Sequence, residues 1–150
     1  MTIWLRVSGT NKSKISAMEY LVGASGAVAL AVFARLSGFE RDRSFYPTVL
    51  IVIGFLYVLF GAIDGRASVV LIEITFALVF SGIAVLGFRN GCWIVGAGIA
   101  GHGVFDFVRQ FFIENTGVPV WWPGFCASID VLLGIYLVAF ACRDLNQPRA

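Results

Sequence analysis

The chain has 150 residues, of which 59% are hydrophobic and only 13% are charged. Eleven Lys and Arg with nine Asp and Glu cannot coat a water-soluble globule of that size, where roughly a quarter of residues carry charge, and mean hydropathy is +0.87. The formal net charge of +2 with scattered positives excludes a nucleic-acid partner, and the composition excludes the disordered and disulfide-scaffold classes.

The sequence therefore predicts an all-α integral membrane protein, a single domain over residues 1–150, with the lipid bilayer as its first partner. Residues 1–14 form a polar, weakly basic tail (Arg6, Lys12, Lys14). Five apolar runs follow at about 17–36, 46–63, 67–88, 91–113 and 120–142. Each is near the roughly 20 residues that cross about 30 Å of hydrocarbon. Backbone groups in lipid must be satisfied within the segment, so the runs are helices. Short connections make them antiparallel neighbours. The first run is long for a signal-peptide core and has no A-x-A site after it, so it reads as a retained helix.

Basic residues in short loops set the orientation. Arg35, Arg41, Arg43, Arg89, Arg143 and Arg149 fall at one end of a five-helix bundle, while the loop 114–124 has neither Lys nor Arg. This places the C-terminus in the cytoplasm, although the basic N-terminal tail argues the other way. Trp121 and Trp122 suit an aromatic belt at the outer surface, and Pro119 and Pro123 stiffen their loop into a lid over whatever lies beneath.

Ionisable residues within spans are costly and mark functional candidates. Glu73, Asp106 and Asp130 fall at roughly 9–12 Å below the outer surface at 1.5 Å per residue. His102 is one turn deeper, Arg109 one turn above Asp106, Asp64 at the end of the second span, and Glu19 opens the first. His102 and Asp106 are spaced i, i+4, and Arg109 is i+3 from Asp106. Glu73-Ala77-Ser81 and Cys126-Asp130-Gly134 continue the acids as stripes of small residues, the faces through which membrane helices pack. A pocket of Glu73, His102, Asp106, Arg109 and Asp130, open to the outer side and floored by His102, is the expectation, which makes the protein a binding or transport module for a cation, a proton or a small ligand. Several carboxylates in low dielectric need protons or cations. Arg109 supplies one cation to the group. Glu73, His102, Asp106 and Asp130 are candidate ligands for a divalent metal ion. His102 and Asp106 are the candidate acid/base pair if the protein is an enzyme on a lipid-like substrate. The third reading is a structural or partner subunit in which the same residues only bind helices together.

Other signals carry less. Gly96-Ala-Gly98-Ile-Ala-Gly101 matches GxGxxG without a preceding strand, so close helix packing explains it. Cys92, Cys126 and Cys142 have no metal spacing and read as free, packed thiols. Gly23, Ala27 and Ala31 on the first helix offer a seam for a homodimer or for another helix.

The segments Gly101-His102-Gly-Val-Phe-Asp106-Phe107 and Gly117-Val-Pro-Val-Trp-Trp-Pro-Gly-Phe-Cys126, with Phe45-Tyr46-Pro47 and Glu73, resemble a group of small bacterial membrane proteins of no established activity. The likeness covers about residues 40–140. It implies a multi-pass protein of the bacterial inner membrane and brings no mechanism. In residue type alone, the His and acids are similar to those that small helical membrane enzymes place around a sterol or lipid.

Overall fold

Gly38, Gly65 and Gly91 have positive φ and divide the chain into its helices. In the computed structural model, which describes residues 7–145 (side chains over 17–143), α1 spans Val7–Ser37, α2 Phe45–Asp64, α3 Ala67–Asn90, α4 Cys92–Arg109 and α5 Trp122–Tyr136. A π-turn, Leu137–Ala141, carries α5 into a last helical turn, α6, Cys142–Leu145. No strand occurs among the described residues. Arg6 and Arg149 lie outside them.

The termini follow local chemistry. Gly65 closes α2 in the left-handed conformation, its N–H donating to the Gly61 carbonyl at 3.1 Å. Pro47 and Pro123 sit in the first turns of α2 and α5, where a missing N–H costs nothing. A short 3-10 turn, Phe39–Arg41, joins α1 to α2. Beside it the Ser44 N–H and hydroxyl donate to Asp42 and hold that exposed carboxyl below the usual carboxylate range.

Two boundaries differ from the sequence reading. α1 starts at Val7, so residues 7–14 of the polar tail are helical. α4 stops at Arg109 and not at 113, because the Arg109 carbonyl accepts from both Phe112 N and Ile113 N and tightens the chain into a turn.

Four helices, α1 (from Ala17), α2, α3 and α5 with its π-turn, are long and apolar enough to cross a membrane. α4 carries His102, Asp106 and Arg109 on a buried face and lies against α2, α3 and α5, while α1 packs on α5. Large apolar side chains such as Val28, Phe33, Leu59, Leu78 and Ile135 face outward, an arrangement suited to lipid and a liability in water. The Gly23/Ala27/Ala31 seam is used within the chain. Ala27 and Ala31 are buried, and Gly23 lies against Phe125 and Ser128 of α5. It is therefore not a free dimer face.

The buried interior is divided along its length. Leu50, Ala84, Val95, Ile99 and Leu137 make an apolar core toward the arginine-bearing end. Glu73, His102, Asp106, Arg109 and Asp130 are buried toward the tryptophan-bearing end. The cysteines depart from expectation: Cys92 and Cys142 form a disulfide (Cα–Cα 5.5 Å) between the first residue of α4 and the first residue of α6, and only Cys126 is a free, buried thiol. The packing of α4 against α5 and its π-turn puts these two helix starts side by side, which a separation of 50 residues does not reveal.

Glycines set the α4–α5 distance. A Cβ at Gly134 would fall 2.7 Å from Ala100 N, and one at Gly103 would fall 2.9 Å from Asp130 Cβ and 3.1 Å from the Ala127 carbonyl. The GxGxxG segment is thus a packing seam at Gly96 and Gly98, while Gly101 has nothing within 4 Å. Gly103→Ala should cost about 1–3 kcal/mol by overpacking, whereas Gly101→Ala should leave stability within about 1 kcal/mol of wild type. Unfolding of the two variants side by side in detergent checks this; equal stabilities would refute the close seam.

Candidate functional site

All five residues expected to meet are buried, with exposures of 0–3%. They form two adjacent groups in a closed interior, where one pocket open to the outer side was expected.

In the first group, Arg109 Nη2 of α4 donates to Glu73 Oε1 of α3 in a short ion pair. Asn115 Nδ2 donates to the same oxygen at 2.9 Å. The Arg109 guanidinium lies 4.1 Å above the Tyr57 ring of α2, a cation–π contact within the usual range. Arg109 was expected to supply a cation to one shared group of acids, three residues from Asp106. Helix geometry decides otherwise: three residues along an α-helix turn through about 300°, so Arg109 points roughly 60° away from Asp106, toward α3.

In the second group, His102 Nδ1 lies 2.9 Å from Asp130 Oδ2 of α5 and 3.4 Å from Asp106 Oδ2, one turn along α4. One donor atom from each of the three residues falls within 4.8 Å of the others. Neither oxygen of Asp106 accepts a hydrogen bond from an N–H or O–H group, although the residue is completely buried. Its hydrogen-bonding neighbour is the weak thiol donor of Cys126. Glu73 is not in this set, so the expected four-residue metal ligand group reduces to His102, Asp106 and Asp130.

Rings enclose the imidazole. Phe80 packs at 4.6 Å between centroids and Tyr57 at 6.3 Å. Tyr57 in turn meets Phe60 at 5.8 Å, and Phe60 meets Trp122 at 4.9 Å. A row of aromatic rings thus runs from the 110–121 connection down to His102. Trp121 is exposed and stacks on its neighbours Trp122 and Phe125. At 1% exposure His102 presents no open face to a lipid-like substrate, which weakens the acid/base reading of His102 and Asp106.

The connection is clamped. Asp64, the last residue of α2, accepts from Thr116 N and Oγ1 (both 2.7 Å) and from Arg66 Nε (2.6 Å). Asn115 Oδ1 accepts from Gly117 N at 3.0 Å. Glu19 lies apart, against Gly124 on the α1–α5 seam. Sequence reasoning missed Asn115 and Tyr57. The signal for Asn115 was a carboxamide just beyond Arg109 in a short connection. The signal for Tyr57 was a hydroxyl-bearing ring on the Gly54/Gly61 face of α2. It also missed buried Glu40, which accepts from Tyr136 Oη at 3.1 Å near the other end.

No protein-family profile, curated protein or solved structure matches the chain.

Because Glu73 and Arg109 are both fully desolvated, removing one should strand the other. Glu73→Ala should destabilise by about 3–5 kcal/mol, and adding Arg109→Met should recover much of the loss. A double-mutant cycle in detergent measures the coupling; simple additivity would mean that the two charges do not depend on each other.

Proposed function

We propose that this is a multi-pass membrane protein that binds a small cation inside the bilayer, at His102, Asp106 and Asp130. The observation that carries the reading is Asp106, whose two buried oxygens meet no N–H or O–H donor and only the weak thiol of Cys126. Charge counting supports it. Glu73 and Arg109 neutralise each other, so two carboxylates remain beside one imidazole, with no arginine or lysine paired to them among the described residues. Buried charge at this density calls for a counter-ion. The bacterial inner membrane, a cytoplasmic C-terminus and a lid formed by Trp121 and Trp122 are parts of the same proposal. The aromatic row from Trp122 to His102 supports the lid.

The competing reading is a structural subunit with the residues as helix glue, and the 2.9 Å His102–Asp130 contact favours it. Thermal unfolding separates the two. A cation that binds only the folded protein, present at about 100 times its Kd, adds about 2.7 kcal/mol, or on the order of 5–10 °C in Tm for a chain of this size. The purified protein in detergent should show that shift with at least one ion from a panel of mono- and divalent cations, and Asp106→Asn should not. If no ion separates wild type from Asp106→Asn, and His102→Ala is merely less stable, the residues are glue and the binding reading is wrong.

A further inference from the structure

The donor set also selects the kind of cation, an inference that rests on the binding reading above. We propose that the site takes a divalent ion of the borderline class to which Zn2+ belongs, held by His102 Nδ1, one oxygen of Asp130 and both oxygens of Asp106.

Three independent features lead there. The first is charge: two carboxylates and a neutral imidazole are balanced by one divalent ion, whereas a monovalent ion leaves a buried negative charge. The second is donor count and type. Magnesium holds six ligands and calcium six to eight, nearly all oxygen and often water. This interior offers three side chains, one of them a nitrogen donor, within a shell 0–3% exposed. A nitrogen with carboxylate oxygens in low coordination is the environment of zinc and its neighbours. The third is geometry. Tetrahedral bonds of 2.0–2.1 Å put donors about 3.3 Å apart, and the His102 Nδ1 separations of 2.9 and 3.4 Å bracket that value.

Bidentate binding by Asp106 uses both of its buried oxygens and brings the protein donors to four, in a distorted set because the two oxygens of one carboxylate lie closer together than tetrahedral donors. The ion takes the place of the hydrogen bond between Nδ1 and Asp130 Oδ2, and the single proton of the neutral imidazole then sits on Nε2, so one hydrogen bond is lost and the proton count is unchanged. Two helices supply the set. His102 and Asp106 come from one face of α4, and Asp130 comes from α5 at the level where Gly103 lets the helices touch. Cys126 is a neutral neighbour in this arrangement and not a ligand.

Cobalt(II) tests the proposal, because its visible absorption reports coordination number and its near-ultraviolet absorption reports thiolate ligation. Cys92 and Cys142 are bonded to each other, so any thiolate signal comes from Cys126. The probe is Co2+ titrated into the metal-stripped, full-length protein in detergent, with Tm followed in parallel. The expected result is the intense visible spectrum of four-coordinate cobalt at one ion per chain. Zn2+ should displace it, and excess Mg2+ or Ca2+ should not. Asp106→Asn should lose the spectrum, while Cys126→Ser should keep it unchanged. Asp106→Glu, which preserves the charge and guards against a fold defect, should bind cobalt with altered band shapes.

A Tm shift with Mg2+, Ca2+ or a monovalent ion but no cobalt spectrum overturns the metal class and leaves the binding reading standing. A weak six-coordinate spectrum, or a thiolate band lost in Cys126→Ser, overturns the donor set. No response to any ion overturns both.

Discussion

The ion pair between Glu73 and Arg109 is the interaction on which the polar half of the bundle depends. A guanidinium inside a membrane protein must meet a carboxylate, and here that carboxylate belongs to the neighbouring helix α3. The pair joins α3 to α4 at the end of the bundle that carries Trp121 and Trp122. Through Asn115 it holds the following connection down on the bundle, and through Tyr57 it extends to α2. Its largest effect is indirect. With Arg109 paired to Glu73, the acids on the α4–α5 seam are left with His102 as their ionisable partner, and the interior acquires a second polar group with a different composition.

That second group needs close helices. His102 reaches Asp130 because α4 and α5 approach through Gly103, Gly96 and Gly134. In lipid no hydrophobic force drives helices together, and backbone approach through small residues does that work. The glycine-rich sequence of α4 therefore serves the site without touching any ligand. It sets the distance across which the imidazole and the carboxylates meet.

The helices were legible in the sequence, because a run of about 20 apolar residues has few other physical solutions. The buried acids were legible too, since charge within a span must be turned inward. Their pairing was not. Spacing along α4 placed Arg109 near Asp106, but the sixty-degree difference in direction matters only once it is known that α3 lies on one side and α5 on the other. Asn115 and Thr116 were hidden for the same reason. A polar residue in a connection looks solvated until the fold folds it back onto a helix. The disulfide was the clearest miss: odd cysteine arithmetic suggested free thiols, and only the three-dimensional order of α4 and α5 brings Cys92 to Cys142.

That disulfide makes the protein a gauge of its own compartment. It closes at the end of the bundle that carries Arg35, Arg41, Arg43, Arg89 and Arg143. Arginine-rich ends are retained in the cytoplasm, where, outside the hyperthermophiles, glutathione and thioredoxin keep thiols reduced. A closed bond is rare at a cytoplasmic address in a mesophilic cell, so the cytoplasmic C-terminus proposed above goes with two free thiols at Cys92 and Cys142. A chain inserted with its arginines inward carries two thiols there, and the π-turn below α5 loses its tether to α4. A chain inserted the other way keeps the tether. The oxidation state of one cysteine pair thus records which way up the bundle stands.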